Sequence, residues 1–195
     1  MAETVKGART KQAILREAAS LATLDGLEGL SIGNLAAALG MSKSGLYAHF
    51  QSKQELQLAT IDTASEIFFA EVVAPALAAP EGLAQLRTLC ESFFEHLTRR
   101  TFPGGCFFAG AVLEMGTRPG LVKERIVEFQ TMFVGLIQQF ASTAVERGEL
   151  ADDPALLAFE INGLLLAADA VFVLRDDDAA LDTPRAVLAR RLRGE

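Results

Sequence analysis

Two serines suited to begin helices, Ser31 and Ser42, stand so close that only a two-turn helix fits between them. In that interval Ile32, Leu35, Ala36 and Leu39 fall at i, i+3, i+4 and i+7, one face of a helix, and Gly40 stops the run. The second serine opens a short helix from Lys43 to about His49. Ahead of both, Ile14, Ala18 and Leu21 share one face of a helix predicted from about Arg9 to Leu24, which Asp25-Gly26 ends with a left-handed cap at Gly26. An amphipathic helix followed by two short helices across a tight glycine-containing turn is a helix-turn-helix pattern.

The third helix shows what the turn presents. On a helical projection Leu46 and Phe50 point the same way and can close a small core with Leu35 and Leu39. Ser44, Gly45, Tyr47 and Ala48 lie on the other side with Lys43 on its flank, a face small enough to enter a major groove. A glycine in a helix interior costs about 1 kcal/mol against alanine, and at Gly45 close backbone approach explains that cost more easily than packing. Lys43 can donate to guanine or to phosphate, and Tyr47 and His49 to phosphate oxygens on either side. Ser52 is another N-cap, and Lys53 beside it puts a cation where the helix dipole favours an anion; a nearby phosphate reverses that penalty. Taken singly, Tyr47 and His49 are equally half-buried residues of a bundle, and Arg9, Lys11 and Arg16 equally a solvated basic end. With the caps, the turn and the flanking cations, they point to nucleic acid.

Charge bears on the same point. The 195-residue chain carries a formal net charge of −7, which argues against a protein that coats nucleic acid non-specifically. Residues 1–58 nonetheless hold six Lys/Arg to five Asp/Glu, and the remainder twelve to twenty. A near-neutral head can approach phosphates while an acidic body stays off them. Half the residues are apolar, enough for a sizeable core, and β-branched residues are few beside Ala and Leu, so helix is expected throughout. The N-terminus has no apolar stretch of the secretory kind. Cys90 and Cys106 have neither disulfide-framework nor metal-ligand spacing, which fits a reducing, cytoplasmic setting.

The run Leu39-Gly40-Met41-Ser42-Lys43-Ser44-Gly45-Leu46-Tyr47-Ala48-His49-Phe50-Gln51-Ser52-Lys53-Gln54-Glu55-Leu56, with Ile14, Ala18, Gly26, Ser31 and Leu35-Ala36 ahead of it, resembles the DNA-binding domain of the tetracycline-repressor (TetR) family over roughly residues 10–58. The resemblance implies an all-α homodimeric transcriptional regulator, usually a repressor released from a palindromic operator by a small ligand. Carried onto this chain, it places base contacts near Lys43, Ser44, Gly45 and Tyr47, with Ser42 opening the same helix. Phosphate contacts fall to Ser31, Tyr47, His49 and Lys53. Ala48 stands where some members carry a larger residue.

Residues 1–53 are therefore expected to form the helix-turn-helix DNA-binding domain, and 54–195 a larger helical domain for ligand binding and dimerisation, about nine helices in all. The fourth helix is predicted from Lys53 to about Ala74, stopped by Pro75, a stiff rod that can carry a displacement. Breaks at Pro80, Pro103-Gly104-Gly105, Arg118-Pro119-Gly120 and Arg147-Gly148 separate three further helices. After Asp153-Pro154 the chain is apolar nearly all round as far as Leu174, so it must be buried on more than one side. Glu160, Asn162 and Asp169 argue against a membrane span there, since each central acid costs about 3 kcal/mol on insertion. Ala158, Gly163, Leu166, Ala167 and Ala170 allow another helix close approach. With Val187, Leu188 and Leu192 of a last helix capped at Thr183-Pro184, they make the expected dimer interface, a four-helix bundle with a second copy, where the family places dimerisation.

Phe68, Phe93, Phe94, Phe107, Phe108, Phe129, Met132, Phe133 and Phe159, with Asn162 as a polar group, either fill this body or line a pocket for a small-molecule effector. Glu114 and Asp169 are two further polar residues in apolar surroundings. Catalysis, a cofactor and a metal are not expected: no Ser/His/Asp order, phosphate-binding glycine loop or supported carboxylate pair occurs, and His96 lacks an i, i+4 ligand partner. Cys90 and Cys106 read as small buried residues, with a redox role for Cys106 beside the Pro103 break as the alternative. The rival class is a helical ligand-binding protein or enzyme that keeps the head as scaffold. Salt-dependent binding to a palindrome separates the two.

Overall fold

The computed structural model describes residues 5–193, whose regular structure is all helical, with no strand among them. In order they form α1 (Val5–Gly29), α2 (Ile32–Leu39), α3 (Lys43–Tyr47), α4 (Lys53–Phe68), a π turn (Phe69–Val73) leading into α5 (Ala74–Ala78), α6 (Leu83–Thr98), α7 (Phe107–Met115), α8 (Leu121–Glu146), α9 (Pro154–Arg175), a 3-10 turn (Asp178–Leu181) and α10 (Asp182–Arg191). With α4 and α5 continuous through the π turn, these are the nine rods expected of an all-α chain. They group into two compact units: residues up to Glu66 with Phe102–Val127, and Ile67–Thr101 with the chain from Glu128 onward.

In the first unit, Ile14, Leu15 and Ala18 of α1 pack with Leu30, Ile32, Leu35, Ala36, Leu46, Phe50 and Leu56, and Leu21, Leu39 and Met41 flank them. Leu46 and Phe50 are fully buried, and burying each contributes about 1.5–3 kcal/mol. Lys11 lays its ammonium 5.7 Å over the Phe50 ring. Gly26 does take a positive φ, but at φ 77°, ψ 162° it is not a left-handed cap. The chain kinks there and re-enters a turn through Gly29, so α1 outruns its expected end. Gly40 does cap α2 in the left-handed region, its N–H reaching the carbonyls of Ala36 and Ala37.

In the second unit, Pro75 does not stop the helix as expected. Proline lacks the N–H for the usual i→i−4 bond, and the π turn before it shifts the ladder by one residue: the Ala74 N–H reaches the Phe69 carbonyl. The helix then continues to Ala78. α6 starts at Gly82, which has no capping side chain; Glu149 supplies one, its Oε2 accepting the Leu83 N–H at 2.8 Å. That hydrogen bond holds the Glu149 carboxyl below its ordinary range. Asp153 caps α9, its Oδ1 accepting from the N–H groups of Ala155 and Leu156 at 2.8 and 3.0 Å.

α10 begins at Asp182, a residue before the expected cap, because the 3-10 turn feeds directly into it. Arg191 does more than complement its helix end: its guanidinium grips Asp152 with two bonds of 2.8 Å and Glu160 with one of 2.7 Å. The Arg191 bonds hold the Asp152 carboxyl below its ordinary range. A lowered folded-state value stabilises above the unfolded value and is lost as pH falls through the folded one. Asp152→Asn is therefore expected to cost about 1 kcal/mol or less at neutral pH and to flatten the acid limb of a stability profile below about pH 4. Urea melts across about pH 2–7 measure both.

Candidate nucleic-acid interface

α3 is short, so its placement depends on its ends. Ser42 Oγ accepts the Gly45 N–H at 3.1 Å and lies 3.1 Å from Ser44 Oγ. A Cβ on Gly45 would sit 3.2 Å from that same Oγ, so the glycine makes room for the cap, a local reason beside the one the sequence suggested. At the other end, the expected helix to His49 closes at Tyr47, and Ala48 and His49 form a turn in which the Phe50 N–H still reaches the Leu46 carbonyl at 3.0 Å. Leu46 and Phe50 pull this segment onto the core and turn the opposite face outward.

Lys43, Ser44, Ala48 and Tyr47 stand on that outward face, Tyr47 with 56% of its surface free, while Gly45 and His49 are half-buried. The His49 ring packs obliquely on Phe50 with centroids 6.3 Å apart. The helix thus offers one cation, a phenol and hydroxyls, with no carboxylate along Lys43–Tyr47. Such a face can donate to phosphate oxygens and to the acceptors on base edges.

Two residues expected at phosphates are already engaged. Ser31 donates its O–H to Asn34 Oδ1 at 2.8 Å and accepts the Asn34 N–H at 3.2 Å, a capping box at the start of α2. Lys53 donates from Nζ to the Glu28 carbonyl at 2.6 Å and to Glu28 Oε2 at 3.0 Å.

Comparison with known proteins bears on what such a face is for. The family described as bacterial regulatory proteins, tetR family, matches residues 14–60, and that described as tetracyclin repressor-like, C-terminal domain, matches residues 82–188. The chain belongs to the TetR family. It is a DNA-binding regulator of transcription with the family's all-α, ligand-responsive design. Among solved structures, a TetR transcriptional regulator from Chloroflexus aurantiacus J-10-FL is 24% identical with a TM-score of 0.87, each chain covered to 96%. AibR, solved with isovaleryl coenzyme A and operator DNA, is 28% identical with a TM-score of 0.69, covering 82% of this chain and 85% of its own. A TetR-family regulator from Cytophaga hutchinsonii is 20% identical with a TM-score of 0.82, covering 98% and 96%. No curated protein sequence matches the chain.

The other TetR-family site residues scatter more widely. Phe107 and Phe108 belong to the first unit, where they pack on each other at 5.2 Å. Phe68, Phe93, Phe129 and Phe133 form a close cluster in the second unit, with Phe94 edge-on to Phe93. Met132 and Phe159 face solvent, Phe159 with 77% of its surface free, so in the single chain they line no enclosed pocket. Asn162 Oδ1 accepts from Gln130 Nε2 at 3.3 Å. Asp169 is buried.

On α9, Gly163, Ala167 and Ala170 face outward, Leu166 is half-buried, and Val187 of α10 is exposed. Ala158, Leu188 and Leu192 correct the sequence reading: they are buried within the second unit and leave no surface for a partner. Leu156 and Leu174, which the sequence reading did not single out, are exposed on α9 with Phe159. α9 is long and apolar enough to cross a membrane by length and composition, with 39% of its apolar window buried. Cys90 and Cys106 are both buried, and burial, then Glu91, pushes the Cys90 thiol up to about 12, so it stays protonated.

Sequence reasoning missed Glu28, and it left Glu114 open between a ligand group and a satisfied polar residue. The Glu114 carboxylate accepts the N–H groups of Leu27 and Glu28 at 2.8 and 2.9 Å, just after the Gly26 kink. Both of its oxygens accept from backbone.

Proposed function

We propose that the chain acts as a homodimeric, cytoplasmic repressor that holds a palindromic operator through α3 of each copy. A small molecule bound within residues 54–195 releases it, and no catalysis takes part. In this reading Ser42, Lys43, Ser44, Gly45 and Tyr47 meet the groove floor and its rim, and His49 and Lys53 the phosphates. Ser31 serves the backbone through the first turn of the helix it caps, since its own hydroxyl is taken. The observation that carries the reading is the exposed face of α3, cationic and hydroxylated, fixed from behind by two fully buried side chains.

The dimer reading rests on α9. Leu174, 84% exposed, and Phe159 and Leu156 are large apolar groups in a row with Gly163, Ala167 and Ala170. Covering each large side chain contributes about 1.5–3 kcal/mol. A groove of about 310 Å³ between α9 and α10, walled by Leu164, Ala167, Val171 and Val187, continues the same surface. AibR, which holds isovaleryl coenzyme A, makes an acyl coenzyme A the first effector to try.

The test is sedimentation of the wild type and of Phe159→Glu with Leu174→Glu. The wild type is expected at twice the 20.9 kDa chain mass. The double variant is expected as a folded monomer with operator affinity reduced more than tenfold, since two half-sites no longer bind as one. A double variant that stays dimeric contradicts this placement of the interface.

A further inference from the structure

Glu28 sits where three elements of the first unit converge. Its N–H donates to Glu114 of α7, its carbonyl and carboxylate both accept from Lys53 at the start of α4, and Arg118 Nη1 lies 3.8 Å from its Oε2. Gln57 secures the neighbouring carbonyl, Nε2 donating to Leu27 O at 2.7 Å. The backbone of this turn is therefore fixed, while the ion pair on it is open to water: the two side chains are 43% and 40% exposed for Lys53 and Glu28.

We propose that Glu28 is a built-in competitor for the operator phosphate at Lys53, and that Arg118 receives its carboxylate when DNA takes the lysine. The inference rests on the reading of Lys53 as a phosphate contact. An ammonium has three donors, and two are spent on Glu28. Exchange of the carboxylate for a phosphate keeps the carbonyl bond, so Lys53 need not leave the turn. Glu28 is not stranded, because Arg118 already lies within reach of the same oxygen. The pair is exposed and screened, so DNA can displace it, yet its presence lowers the apparent affinity. The tie of the same residue to Glu114 means that a shift of α7 alters how firmly Lys53 is held.

The experiment uses the full chain and a duplex enriched from a random pool by the wild type, with anisotropy titrations between about 50 and 200 mM salt. Glu28→Gln is expected to tighten binding about two- to fivefold. Lys53→Gln is expected to weaken it and to lower the salt slope by about one. The decisive arm is the double variant. If Glu28 acts through Lys53, the gain from Glu28→Gln vanishes in the Lys53→Gln background; a gain that merely reflects one fewer negative charge persists there. Arg118→Gln is expected to weaken binding, and Glu28→Gln to cancel that loss. A persistent gain, or weaker binding by Glu28→Gln alone, overturns the inference while leaving Lys53 at the phosphate. Wild-type binding and salt slope in Lys53→Gln overturn both.

Discussion

Phe68→Ala is expected to destabilise the protein by about 3–5 kcal/mol. Only 2% of its surface is free, and its ring stands edge-on to four others: Phe93 at 6.4 Å, His96 at 5.9 Å, Phe129 at 5.3 Å and Phe133 at 5.2 Å. Each such pair adds about 0.5–1.5 kcal/mol beyond the area buried. The ring is also hemmed by a polar fixture that resists collapse. His96 Nδ1 lies 2.7 Å from Glu71 of the π turn, and Thr101 donates to the same carboxylate oxygen at 2.7 Å. Alanine would leave a cavity among rigid rings, which is the expensive case. Denaturant melts measure it, and a loss under about 1 kcal/mol would show that the neighbours close the gap. Phe68→Leu, which keeps most of the volume, is expected to cost markedly less.

The second large effect falls on α3. Lys43→Ala with Tyr47→Ala is expected to weaken operator binding at least thirtyfold, taking each lost base or phosphate contact as about 1–3 kcal/mol. The fold should be untouched, because both side chains point to solvent and the core is closed by Leu46 and Phe50 beneath them. Circular dichroism and the melting midpoint are therefore expected at wild-type values. The contrast is Leu46→Ala, whose side chain is fully buried. It should lose both binding and about 2–5 kcal/mol of stability. Equal affinity in the solvent-facing double variant and the wild type would remove α3 from the interface.

What was legible in the sequence was whatever is decided locally. Ser31, Gly40 and Ser42 announce three helix boundaries because capping is chemistry between residues three or four apart, and those boundaries stand. The inward positions of α2 and α3 follow from a clean period. Pro75 misled because a missing N–H reads as a stop, whereas the π turn that absorbs it leaves no mark in the apolar pattern. α9 misled in direction: a helix apolar nearly all round has no periodicity to say which side faces inward, so Ala158 passed for surface and Leu156 and Leu174 went unnoticed. Leu188 of α10 and its C-cap Leu192 are the apolar groups of a polar helix and pack inward, where the sequence reading gives them to a partner. The Glu114 bonds to Leu27 and Glu28 join residues 87 and 86 apart, and nothing local advertises them. Lys53 reads in the sequence as a cation at a helix start, but the anion facing it in the structure is Glu28 of this chain.

The central claim is that α3 reads a duplex sequence in two copies at once. Its most direct test is selection of bound duplexes from a random pool by the full chain, followed by sequencing. The account predicts one shared inverted repeat whose half-site centres lie about 34–36 Å apart, one turn of DNA. A pool returned without a common sequence, or with a single unrepeated site, would contradict it.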